Sequence, residues 1–444
     1  MKKFWKLSLL WSVLLVSSMF VQAGEIDMLV DTLAEKGVIT FGEAQQIKTV
    51  TKEEIKKQMA EGKLNTVPAW VQNLSLKGDA RVRHQIDWAK NVLRRDRFRL
   101  RLRVGAETRI VSNVKGGFGL ATAVIKSASI STSGSNNIRV STTTGTGSNN
   151  ITASGSGVNV TDGEPRSTNY TLGDSLSKAP LMVDYAYLEY SPISYATLKL
   201  GKFKNPLFQT SDIFWDGDLN TDGLAGMLKY SVNANFGVFL NMTAVILDEI
   251  STDSSDPMIY AMQPGLSYII NDTINLKTGC VIYRTNVKGK KLDHSASTNL
   301  LVSSVLPYEY DSISPSLNLN VQEPVLSKTV SIYGDYIVNN STKNNNIGYC
   351  AGLKYGDEKV SSFGQWSVKY QRRYLEQDAW LDSFPDSDSY GGGTNVEGNE
   401  FIVEIALRKV LNLNFDYYKM DKINGADSGT TPKALFQSDL VYKF

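Results

Sequence analysis

Four arginines at alternate positions carry the most distinctive chemistry in this 444-residue chain: Arg97, Arg99, Arg101 and Arg103, separated by Phe98, Leu100 and Leu102. A guanidinium keeps its charge at any physiological pH, so such a row binds anions, pairs with carboxylates or biases ion movement. On a helix these residues would spread around every side. On a strand they make one cationic face and one apolar face. The preceding stretch repeats the arrangement, with Leu74, Leu76, Ala80, Val82 and Ile86 on one face and Lys77, Asp79, Arg81, Arg83 and Asp87 on the other. Arg109 continues it further along. A counter-charge lies in 204–222, which carries Asp212, Asp216, Asp218 and Asp222. Asp216, Asp218, Asn220 and Asp222 have the oxygen-ligand spacing of a calcium loop, but Thr221 stands where its glycine belongs and Met227 where its bidentate glutamate belongs. Calcium is therefore the weaker expectation and a metal-free acidic loop the stronger.

Other chemistry is sparse. The two histidines, His84 and His294, are far apart, and no metal-ligand spacing or activated nucleophile accompanies them. His84 alternates onto the apolar face near a strand end, which favours an interfacial role over catalysis. Cys280 and Cys350 fall on strands that are not neighbours, so no bridge is expected. The sequence points away from an enzyme and away from a cofactor.

An alternating apolar and cationic strand fits either a soluble sheet or a membrane barrel whose charged face lines water. The two ends of the chain favour the barrel. Residues 1–23 read as a signal peptide, with Lys2 and Lys3, an apolar run and a small-x-small site ending at Ala23. No segment reaches the ~20 apolar residues of a membrane helix. Losing Lys2, Lys3 and Lys6 with the leader takes the basic count from 47 to 44, against 45 acidic residues, so nothing draws the protein to nucleic acid. At the other end, Leu440, Tyr442 and Phe444 share one face of a last alternating segment. A terminal aromatic there resembles the signal read by the outer-membrane barrel-assembly machinery.

Residues 24–68 read as two or three short helices, with Thr40 and Glu43 forming a capping box. From 69 to 444 the period is two, and about 16 strands are expected in an up-and-down antiparallel barrel. Short turns alternate with long connections at 127–180, 204–222, 286–312 and 377–396. The stretch 127–169 is Ser/Thr/Gly/Asn-rich and reads as a mobile loop.

Several stretches resemble the Gram-negative outer-membrane porins that carry a short helical N-terminal segment. They include Leu33–Thr40, Leu76–Arg83, Arg95–Arg101, Asn113–Gly119, Asp184–Tyr190, Gly201–Pro206 and, most specifically, Phe214–Gly223. The likeness is good over 25–230 and weak beyond, until the last strand. It implies a passive, water-filled channel for ions and small polar solutes in outer-membrane lipid, assembled as a homotrimer. The lumen wall would then carry Arg81, Arg83, Arg97, Arg99, Arg101, Arg103 and Arg109. The 204–222 loop would fold inward against them, and a weak anion preference would follow. A plugged structural or adhesive barrel is the alternative.

Overall fold

The computed structural model describes residues 39–60 and 73–444, except 124, 134–136, 143–160, 174–175, 177, 251–253, 324, 427–428 and 430, and also residues 30, 33–34 and 71. Residues 1–23, read above as a signal peptide, lie outside the described residues. The chain divides into two units, 1–73 and 74–444.

In the first unit α1 (Phe41–Ala60) is described over its length, and residues 30, 33–34 and 71 are helical as well; the rest of the expected helices lies outside the described residues. Its capping box is present: Thr40 N donates to Glu43 Oε2 at 2.8 Å, and Glu43 N donates to Thr40 Oγ1 at 3.3 Å. This satisfies two backbone groups that the helix start would otherwise leave open.

The second unit is a closed barrel. Among the described residues its long strands number sixteen: β1 (Ser75–Trp88), β2 (Arg95–Val111), β3 (Val114–Thr122), β4 (Leu181–Ile193), β5 (Ala196–Lys204), β6 (Asn220–Ser231), β7 (Phe236–Ile246) and β8 (Met258–Asn271), then β9 (Ile274–Thr285), β10 (Ser312–Glu323), β11 (Lys328–Asn339), β12 (Ile347–Gly356), β13 (Trp366–Leu375), β14 (Val396–Arg408), β15 (Leu411–Lys422) and β16 (Ala434–Lys443). Each pairs antiparallel with its sequence neighbour, and β1 pairs with β16 from Asp79↔Lys443 to Trp88↔Ala434, which closes the sheet. Closure leaves no free edge, a condition for any sheet in lipid.

One end of the barrel carries short turns and the other long loops. L3 (205–219) and L7 (376–395) are two of the long loops, and L5 (286–311) lies between them in sequence. Outward positions are apolar: Leu76, Val82, Phe98 and Leu200 are all more than 45% exposed. Inward positions on β1 and β2 carry the charges. Cys280 faces outward on β9, Cys350 is buried on the inner face of β12, and both are free.

Two features depart from the sequence reading. The stretch 127–169 is not wholly irregular, because Ile125–Ser133 pairs antiparallel with Asn137–Thr142 and also with Thr161–Gly163. Its return stretch enters the barrel, where Arg166, Ser167, Thr168 and Asn169 are buried and Tyr170–Thr171 pairs with β2 beyond the end of β3. The 17-residue β2 outruns the 9-residue β3, and this segment covers the strand edge so exposed.

The second departure is an apolar core inside the barrel. Period-two alternation predicts a polar interior, yet Val245, Ile259, Val281, Tyr283 and Ile337 point inward near the loop end and are at most 3% exposed. L3 supplies Ile213, Phe214 and Trp215 to this core, and L7 supplies Trp380, Leu381 and Phe384. Trp215 lies 4.4 Å from Phe384 and Tyr283 lies 4.5 Å from Trp380, centroid to centroid. Each buried aromatic of this kind contributes on the order of 1.5–3 kcal/mol. The loops are therefore seated by the same force that builds a soluble core.

Candidate functional site: the barrel interior

The alternation of β1 and β2 turns Arg81, Arg83, Arg97, Arg99, Arg101 and Arg103 inward, and the register sets Arg81 opposite Arg101 and Arg83 opposite Arg99. Like charges directly opposed on neighbouring strands destabilise a sheet unless something intervenes. Carboxylates intervene. Arg83 Nε and Nη2 donate to the two oxygens of Asp439 on β16 at 2.7 and 2.8 Å, and Nη1 meets Asp388 of L7 at 3.0 Å. Arg101 and Arg103 share Asp79, with Nε donors at 2.8 and 2.7 Å, and both face Asp218 of L3, at 3.9 and 3.4 Å. Arg97 is bound to Asp87 at 2.5 Å, and Arg81 lies 3.4 Å from Asp439.

Arg99 differs. It donates to Gln85 Oε1 at 3.1 Å and reaches Ser167 Oγ at 3.5 Å, and it has no carboxylate within 4 Å among the described residues. Arg109 stands apart, exposed at the turn end of β2.

The aspartates of 204–222 disperse rather than converge. Asp218 alone meets the arginine stripe, and it also accepts from Thr168 Oγ1 at 2.9 Å. Burial alone would raise its pKa, but Arg101 and Arg103 outweigh that and hold it below the ordinary carboxylate range. Asp216 turns toward L7, accepting from Ser387 N at 2.9 Å and from Asp218 N at 2.8 Å. Burial, aided by the charge of Asp218, pushes its pKa up to about 7. Asp212 crosses to the opposite wall, 2.9 Å from Arg373 of β13. Asp222 is not in the loop at all; it belongs to β6 and pairs with Lys202 at 2.7 Å. Asn220 is bound to Asp184 at 2.9 Å. The four side chains of the calcium candidate thus address different partners: Asp216 the L7 backbone, Asp218 the arginines, Asn220 Asp184 and Asp222 Lys202.

The sequence reading missed the groups that fix the loops. Arg373, fully buried, binds Asp212 of L3, Asp386 of L7 at 3.2 Å and Glu400 of β14 at 2.5 Å. Asp335 of β11 accepts from Thr210 N and from Ser211 Oγ, and Gln263 of β8 holds the backbone of Phe208 through its N and O, both at 2.7 Å. Asp382 of L7 accepts from Ser295 Oγ and Thr298 N of L5. A signal was available, since 212–218 and 378–388 share a composition of aromatics set among aspartates.

A closed barrel with short turns at one end, long loops at the other and an inward-folded third loop is the geometry of a channel scaffold. A protein family described as "Putative porin" matches residues 156–320 and 308–444. The chain belongs to this porin family. The likeness read from the sequence was good over 25–230 and weak beyond, whereas the family match runs from 156 to 444 and includes its most specific piece, Phe214–Gly223. No curated protein matches the chain. Among solved structures, the high-pH form of Pseudomonas putida OprB is 11% identical over 84% of this chain and 94% of that one, with a TM-score of 0.51. The outer membrane channel DcaP of Acinetobacter baumannii is 12% identical over 84% and 97%, with a TM-score of 0.43. The porin is an outer-membrane β-barrel channel for passive diffusion in a Gram-negative envelope, and its short turns accordingly face the periplasm.

Proposed function

We propose that ions and small polar solutes pass a narrow point where L3 and L7 approach the arginines of β1 and β2, with a weak anion preference at low salt. The observation that carries this reading is local: of the inward arginines from 81 to 103, Arg99 is the one with no carboxylate within 4 Å among the described residues, while Arg81, Arg83, Arg97, Arg101 and Arg103 each have one. Paired charges present little field to a passing ion, so the preference is small and fades as salt screens it. Single-channel recording in planar bilayers under a KCl gradient tests this. A reversal potential on the anion side, shrinking as salt rises, is expected. Silence after confirmed insertion would favour a plugged barrel. Closure in three equal steps would support a trimer, which the apolar outer faces of the first and last strands also suit.

Phe444 fits the role of an assembly signal. Its backbone exchanges hydrogen bonds with Gly78 at 2.9 and 3.0 Å, and its ring stacks on Tyr442. A Cβ on Gly78 would lie 2.5 Å from that ring, so only glycine leaves room for it. Deleting Phe444 should lower outer-membrane yield and heat-modifiable gel mobility; unchanged yield would argue that the terminus carries no such signal.

A further inference from the structure

We propose that the lumen wall from β6 to β13, on the periplasmic side of L3, holds a subsite for small hydroxylated carboxylates centred on Lys277. The proposal rests on the reading of the barrel as an open conduit. Along the inward positions of β6 to β12 the one carboxylate is Asp335, and it is committed to Thr210 and Ser211 of L3. Four lysines share that wall and the next strand: Lys229, Lys277, Lys354 and Lys369. None has a carboxylate within 4 Å among the described residues, whereas Lys77, Lys115 and Lys199 on the other side all do.

Lys277 is held by rings instead. Its Nζ lies 4.2 Å from the centre of Phe208, on L3, and 5.4 Å from that of Phe239. Phe208 cannot drift, because buried Gln263 binds its backbone from both sides. Lys369 likewise lies 5.1 Å over Tyr333. Cation–π contacts orient an ammonium without neutralising it, so the charge stays available to an anion. The register sets Lys354 directly opposite Lys369; Lys354 Nζ donates to the Glu358 carbonyl at 3.0 Å, which carries no net charge, so the two like charges are not offset until an anion binds. Amides surround the lysines: Asn318 sits opposite Lys277, and Asn320 Nδ2 donates to Asn275 Oδ1 at 3.0 Å. Ammonium groups suit a carboxylate, amides suit hydroxyls, and the ring faces suit a carbon backbone.

The test uses the full-length porin in planar bilayers, with gluconate or glucose added to an ongoing chloride current. Gluconate should reduce the current and glucose at equal concentration should not. Lys277→Gln should raise the half-blocking concentration about fivefold, the loss expected for one exposed charge contact of roughly 1 kcal/mol. Lys277→Arg should retain the block, and heat-modifiable mobility reports whether each variant folds. Equal block by glucose, or unchanged block in a folded Lys277→Gln channel, overturns the subsite while leaving the conduit intact. Absence of current before any solute is added overturns the conduit itself.

Discussion

Two sides of one lumen use positive charge in opposite ways. On β1 and β2 the cations are arginines, and all but Arg99 of the inward-facing ones from 81 to 103 are tied to carboxylates of the wall or of an inserted loop. On β6 to β13 the cations below L3 are lysines, of which Lys277 and Lys369 lie over rings. The planar guanidinium can serve two or three acceptors at once, which suits it to clamping one element against another. The lysine ammonium is a point charge on a flexible stem and stays free to meet a solute. The arginine side is therefore chiefly architecture, and the lysine side chiefly surface.

The largest effect should come from breaking a clamp. Arg373 is the one cation shared by L3, L7 and β14, and replacing it with Met leaves Asp212, Asp386 and Glu400 facing one another in a buried site. Removing one partner of a buried ion pair costs about 3–5 kcal/mol. Arg373→Met should lower the thermal midpoint of the barrel and raise single-channel conductance as the loops lose their anchor. Unchanged conductance would mean that the apolar core of Trp215, Trp380 and Phe384 holds the loops without help from charge.

A sharper cut separates Arg99 from its neighbour Arg83. A unit charge ~8 Å away in water is worth ~0.5 kcal/mol, so Arg99→Ser should change the chloride-to-potassium permeability ratio about twofold at low salt. The barrel should keep its stability. Arg83→Ser should do the reverse, because it strands Asp439 and Asp388: stability falls, and any selectivity change follows from loosening. If the two variants shift the reversal potential equally, the division between architecture and unpaired charge on this wall is wrong.

A smaller effect concerns pH. The Asp216 pKa, about 7 in the folded protein, lies above the ordinary ~3.9 of an unfolded aspartate. The folded state therefore binds the extra proton between those values. The contribution is fully present below the unfolded pKa and is lost as pH rises through about 7. L3 should sit less firmly on L7 at pH 8 than at pH 6, seen as more frequent brief closures. Asp216→Asn should abolish that difference; a variant that keeps it would assign the dependence to another group.

Much of the fold was legible because lipid imposes a strict pattern. Sixteen alternating segments, short turns against long loops, and the Thr40–Glu43 cap all read from local rules. The inward direction of Arg97 to Arg103 followed from period two once the two ends of the chain had favoured a barrel. What local rules could not supply was pairing across sequence distance. Asp218 and Asp222 look equivalent in sequence, yet one ends in the lumen and the other on β6 beside Lys202. Arg372 and Arg373 are adjacent, and alternation sends one to Glu397 outside and the other to the buried clamp. The apolar core inside the lumen was hidden for a related reason. Stretches such as Val281-Ile282-Tyr283 are apolar on both faces, which reads as a buried strand but does not say that loops cover its inner side.

The smallest effect should come from Lys77 on β1, and it tests whether pairing or burial decides a cation's role. Lys77 Nζ lies 2.9 Å from Glu107 Oε2, at the same distance as Lys115 Nζ from that atom. By pairing it belongs with the arginines. By exposure, with 64% of its side chain open to solvent, it belongs with the free lysines. An exposed pair contributes ~0.2–1 kcal/mol, and here Lys115 remains to hold Glu107 when Lys77 is removed. Lys77→Gln should therefore leave thermal stability, reversal potential and the gluconate block within error of the parent protein. A clear shift in selectivity would show that a paired cation at the periplasmic mouth still acts on passing ions. Field strength at the mouth would then outweigh pairing, and the contrast between the two sides would have to be redrawn around position along the pore.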